Sequence, residues 1–134
     1  MSGERDLEKL LSGMRPSLRH DAVVMVTLPT LPSDVEVLAT VREDEGLTVV
    51  VQQTVADAHG WDYDVALAWI TLQVHSALDA VGLTAAFSGA LADAGISCNV
   101  LAGRFHDHLL VPVHQAAAGI HVLAKLSRAG SGQP

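Results

Sequence analysis

Two glycines, Gly82 and Gly95, bracket a run in which Leu83, Phe87, Ala90, Leu91 and Ala94 recur at helical spacing. That spacing predicts a helix over 83–94 with one apolar stripe. Gly82 stands where a chain leaving an extended segment must turn sharply into the helix. Gly95 stands just past the last turn, where a left-handed cap costs least. Extended segments on either side, ending near Val74-His75 and resuming at Ile96-Ser97-Cys98-Asn99-Val100, make the whole a strand–helix–strand unit. Such a helix must bury its stripe on a sheet. The N–H groups of its first turn have no partner inside the helix and face the loop, a natural seat for a carboxylate.

The rest of the chain supplies further strands and helices. Asp6 to Met14 carries Leu7, Leu10, Leu11 and Met14 at helical spacing, and Pro16 ends that helix. Ala22 to Leu28 reads as a buried strand, and Pro29 to Ser33 as a loop. Val35 to Val41 and Leu47 to Gln53 flank the acidic turn Arg42-Glu43-Asp44-Glu45-Gly46 and read as a β-hairpin, its acids solvated. A short helix over 55–59 closes at Gly60. Val65 to His75 is a long strand with Ala66, Ala68, Ile70, Leu72 and Val74 on one face and Trp69, Thr71, Gln73 and His75 on the other. Strands over 96–103 and 108–113 follow, turning near His106-Asp107. Ala116, Ala117, Ile120, Leu123 and Ala124 then draw the stripe of a last helix.

Composition narrows the function. A formal charge of −7 with eight scattered Lys and Arg residues excludes a phosphate-backbone partner and disfavours an anionic membrane. Apolar runs such as Ala22 to Val26 are too short to cross a bilayer. Met1 to Arg15 is charged and amphipathic, without the apolar core of a signal peptide. The single Cys98 makes no internal disulfide, and together these features point to a reducing cytoplasm. A small zwitterion held in a local pocket is compatible with this charge balance.

The run "strand, loop with Gly82, helix 83–94, Gly95-Ile96, strand" with Asn99-Val100 after it resembles the ACT domain, the amino-acid-sensing module attached to enzymes such as aspartate kinase. The likeness extends through Phe105-His106-Asp107-His108-Leu109-Leu110-Val111-Pro112-Val113 and the helix beyond. Trp69-Ile70-Thr71-Leu72 and Glu43-Asp44-Glu45-Gly46-Leu47-Thr48 are further matching phrases, and the whole chain is similar to short bacterial proteins made of two ACT-like units. The resemblance implies an α+β fold of two ferredoxin-like, βαββαβ-type units with antiparallel sheets and helices on one face. The units would span 1–64 and 65–127, with 128–134 a disordered tail. The second half reads β-α-β-β-α, one strand short of that order, so an extended segment of the first half is expected to complete its sheet. The first unit lacks a glycine-led helix.

The same resemblance implies a regulatory protein without catalysis of its own, needing no cofactor, that binds a small effector, an amino acid above all. The effector's carboxylate would meet the N–H groups around Gly82, Leu83 and Thr84. Asp79 would pair with its ammonium, and Asn99 and Cys98 would stand nearby. Open sheet edges invite a homodimer. Two other readings of the residues stand beside this one. His75, His106 and His108 supply imidazoles that zinc or copper prefer, provided the three rings converge. Alternatively, the chain is a structural dimerisation adaptor. Ser76 and Cys98 are possible nucleophiles, but no nucleophile elbow, P-loop or dinucleotide fingerprint accompanies them.

Overall fold

The computed structural model describes residues 3–130, so the expected tail over 131–134 lies outside the described residues. Four α-helices and seven strands follow one another among the described residues: α1 Leu7–Gly13, β1 Pro16–Leu18, β2 Val23–Leu28, β3 Ala39–Glu43, β4 Gly46–Gln52, α2 Gln53–His59, β5 Leu67–Leu72, α3 Leu83–Asp93, β6 Asn99–Ala102, β7 Asp107–Pro112 and α4 Ala116–Gly130. Residues 128–130, expected in the tail, form the last turn of α4. The chain divides into two compact units. One is His20–Leu67; the other joins the residues up to Arg19 with those from Ala68 onward. Along the sequence the halves meet near Asp64, whereas in space the first segment groups with the second half.

The His20–Leu67 unit is built on alternation. β2 and β4 pair antiparallel from Val23↔Gln52 to Leu28↔Leu47, and β3 pairs with β4 from Ala39↔Val50 to Glu43↔Gly46. With a period of two, Val24 and Val26 on β2 and Leu47, Val49 and Val51 on β4 fall on one face and are buried with Ala56 of α2. The acidic turn is a two-residue hairpin connection, Asp44-Glu45, and Gly46 takes φ +147. A Cβ on Gly46 would lie 2.9 Å from Thr27 Cγ2, so the turn needs glycine for space as well as for conformation. Gly60 ends α2 in the left-handed region. No helix forms between β2 and β3, in keeping with the Pro29 and Pro32 loop. Leu67, opposite Val23, completes the set.

The other unit contains the order β5-α3-β6-β7-α4, with the sheet order β5-β7-β6. The missing strand is β1. It pairs antiparallel with β5 through Pro16↔Leu72, Ser17↔Thr71 and Leu18↔Ile70, in the place a strand following α4 would hold in a βαββαβ unit. One face of this sheet presents Ala68, Ile70, Leu72, Leu109 and Val111 to Phe87 and Leu91 of α3, Leu123 of α4, and Leu10 and Met14 from α1 and its cap. α1 starts where Asp6 accepts the Lys9 N–H at 3.2 Å. α3 starts at Gly82 with φ +102 and ends before Gly95 with φ +75. There the Ile96 N–H returns to the Leu91 carbonyl at 2.9 Å.

β3 begins at Ala39 and not at Val35, and β5 and β6 are also shorter than expected. β5 stops at Leu72 instead of continuing to His75, because the Val74 N–H folds back on the Leu72 carbonyl (2.8 Å). β6 begins at Asn99 and not at Ile96, whose side chain is spent covering the end of α3.

Candidate functional site

The loop between β5 and α3 and the facing turn between β6 and β7 carry the polar groups of the second unit. The first intrahelical bond of α3 runs from the Ala86 N–H to the Gly82 carbonyl at 2.9 Å. The N–H groups of Leu83, Thr84 and Ala85 therefore have no partner in the helix, and no side chain caps them. Beside them lies a cavity of about 110 Å³ lined by Leu83, Thr84, Ala102, Gly103, Asp107, Ser76 to Leu78 and Ala80. Asp107 is half-buried, and its carboxyl makes no hydrogen bond or ion pair among the described residues. Burial raises its pKa, against the opposing pull of His108 and His106. The cavity thus sets uncapped donors on one wall against an unpartnered acid on another.

The other expected contacts fall outside it. Asp79 pairs with Arg5, Nε to Oδ1 at 2.9 Å, and does not line that cavity. Gly82 stands behind the helix start, where a Cβ would lie 3.1 Å from Leu7 Cδ2. Asn99 is exposed at the start of β6, and Cys98 is half-buried against the apolar core, its pKa raised by burial. Neither lines the cavity. Asp107 is the functional candidate that the turn-like pattern of the sequence did not single out as an ammonium partner. Its only signal was its place between two histidines.

The three histidines do not form a metal centre. No group of three or more His, Cys, Asp or Glu side chains among the described residues can hold an ion. His75 packs at 5.2 Å against Phe105, and His106 Nδ1 lies 3.3 Å from the Val74 carbonyl. His108 is engaged on the sheet face opposite the helices, where Trp69 Nε1 donates to Thr71 Oγ1 (3.0 Å) and Thr71 Oγ1 lies 2.9 Å from His108 Nδ1. The Trp69 and His108 rings are 5.0 Å apart. The three rings contact different segments, so the expected metal trio does not assemble among the described residues.

Burial lowers the pKa of His108, with His106 adding to the effect. The unfolded chain then takes up its proton near the ordinary imidazole value of 6.5 before the folded chain does. Stability from this group is present above that value and declines as pH falls through it. Asp107 works in the opposite sense, because its folded carboxyl holds a proton more tightly than the unfolded one. Urea denaturation of H108Q at pH 7.5 and 5.5 is expected to show a smaller acid loss of stability than the parent. An equal loss would place the titration elsewhere.

In the His20–Leu67 unit a larger cavity, about 480 Å³, is lined by Met25 to Leu28 and Gly60 to Asp64. Its charged lining is Asp62 and Asp64, which repel a carboxylate.

Comparison with known proteins follows the same lines. Sequence profiles of the ACT domain match residues 2–68 and residues 65–125. The chain belongs to the ACT domain family. Its two ACT matches meet at residues 65–68, where β5 begins. A Vibrio cholerae protein of unknown function, described as a possible transport protein, is 42% identical over 90% of this chain and 95% of its own, with a TM-score of 0.81. An Agrobacterium tumefaciens protein is 19% identical over 85% of this chain and 89% of its own, with a TM-score of 0.68. The regulatory subunit of aspartate kinase from Thermus thermophilus, in a ligand-free form, is 12% identical over 83% of this chain and 95% of its own, with a TM-score of 0.61. The last two show that the ACT-type fold is shared. No curated protein matches. No described helix of this ACT protein is long and apolar enough to cross a membrane.

Proposed function

We propose that this protein is a regulatory binder of a small zwitterion, an amino acid, held at the start of α3. The observation that carries the reading is the cavity in which the unpartnered N–H groups of Leu83 and Thr84 stand across from the unpartnered Asp107 carboxylate. A free amino acid presents the complementary pair, a carboxylate for the helix start and an ammonium for Asp107. Its ammonium would relieve the desolvation that raises the Asp107 pKa. Membership of the ACT family supports the regulatory role.

Size selects among amino acids. At about 110 Å³ the cavity has the volume of about three or four waters, at roughly 30 Å³ each. That volume favours the small amino acids glycine, alanine and serine. The partner in this reading is a second copy of the chain, paired at an open sheet edge.

The test is a thermal-shift screen against the twenty amino acids, followed by calorimetry. A ligand at a hundred times its dissociation constant adds about 2.7 kcal/mol of stability. D107N is expected to weaken binding of the responding amino acid at least tenfold while leaving the unliganded fold intact. Asp107 is the better probe than Gly82, where a side chain would press on Leu7 and report folding instead of binding. A flat response to all twenty would remove the sensor reading and leave the structural adaptor.

A further inference from the structure

A second cavity, about 410 Å³, lies on the other side of Ser76–Leu78 and is lined also by Gly3, Arg5, His75, Asp79 and Arg104. The chain has eight Lys and Arg residues against fifteen acids, yet two of its arginines and a histidine reach this one cavity from three distant segments. Arg5 is spent on Asp79, with Nε to Oδ1 at 2.9 Å and Nη2 to Oδ2 at 3.4 Å. Arg104 is not. Its guanidinium lies 5.4 Å over the Phe105 ring and makes no hydrogen bond or ion pair with any described residue. The His75 ring packs against the same Phe105 and likewise has no polar partner among the described residues. Phe105 therefore positions two unspent nitrogen donors at one opening.

The frame around them is tied down. The Glu4 N–H donates to the His75 carbonyl (2.9 Å), and the Ala77 N–H donates to the Glu4 carbonyl (2.8 Å), bracketing Ser76. A Cβ on Gly3 would lie 2.5 Å from the Ser76 carbonyl carbon, so only glycine lets the N-terminal strap lie this close. Pre-set donors cost less to order on binding than mobile ones.

We propose that this cavity binds a small phosphate-bearing anion through Arg104, His75 and Ser76. The lining charge is net +1 with His75 neutral and +2 with it protonated, counting Arg5, Arg104 and Asp79. A small anion supplies the counter-charge that this positive lining lacks. Donors arriving from three residues suit a tetrahedral group, whereas a planar carboxylate is satisfied by one arginine fork. The inference does not rest on the amino-acid reading: Arg104 and His75 line this cavity and not the Asp107 one, and Ser76 lines both.

The experiment is a titration of the whole chain with inorganic phosphate at constant ionic strength and pH 7, followed through the imidazole nitrogens by NMR, with His75 assigned from H75Q. The expected result is a saturable shift of the His75 ring, with His114 and His121 still, and at least a tenfold weaker response in R104A. K125A, away from the cavity, should match the parent. If R104A loses its dispersed spectrum, binding to H75Q by calorimetry replaces it, again with at least a tenfold loss expected. A shift that never saturates, one reproduced by chloride, or one left intact by both variants would overturn the proposal. Saturation by succinate and not by phosphate would overturn the choice of anion.

Discussion

Residues 65–134 expressed without the first half are expected to be unfolded. Their core is completed by Leu10 and Met14, which are 0% and 1% exposed and come from α1 and its cap. Losing buried Leu and Met side chains costs about 2–5 kcal/mol each, against a total stability of about 5–15 kcal/mol for a domain. The same deletion strips β1 from β5, exposing the Ile70 to Leu72 edge. The amide spectrum of the fragment should be collapsed. Dispersion should return in a permuted chain that joins residues 3–20 after α4, where the βαββαβ order places a last strand. A well-dispersed spectrum from 65–134 alone would show that α1 and β1 are accessories to that fold.

The largest expected effect of a single substitution is at Phe87. It is 0% exposed on the inner face of α3, in one cluster with Ile70, Leu91, Leu109 and Leu123. Truncation to alanine removes a ring that backbone elements on two sides cannot collapse to replace. F87A should cost about 3–5 kcal/mol in urea denaturation. Ala and Phe differ little in helix propensity compared with that cost, so the loss reports the cavity. V81S, at an exposed position in the preceding loop, is the matched control and should leave stability unchanged. A loss in F87A below about 1 kcal/mol would mean that the α3 stripe is not the centre of the cooperative core.

What could be read from the chain was local. The α3 helix from Leu83, the left-handed glycines at its two ends, and the Asp44-Glu45 hairpin with Gly46 all follow from spacing and backbone freedom. The absent helix after β2 followed from its prolines. The missing fourth strand was legible as a deficit to be met from the first half, but which segment would meet it was not. Pro16 to Leu18 is three residues long with no alternation to show, and it packs against α4, more than 90 residues further along the chain.

The site was legible in part for the same reason. Leu83 and Thr84 reach a cavity because a helix start points its N–H groups outward wherever it occurs. Asp107 reaches the same cavity because β7 places odd-numbered side chains under α3, which no local pattern announces. Asp79 looked available until Arg5, 74 residues away, was brought beside it. The histidines failed as a trio because His75 and His106 were claimed by neighbours from other segments.

The grouping of α1 and β1 with residues beyond Ala68 has a consequence for biosynthesis. At ribosomal speeds of about 5–20 residues per second, Gly130 emerges roughly 5–20 s after Arg19. Throughout that interval Leu7, Leu10, Leu11 and Met14 have left the exit tunnel without their full set of partners, while His20–Leu67 can already close. The earliest-made segment is thus the last to find its place, and nascent chains stalled before α4 should be the ones chaperones capture.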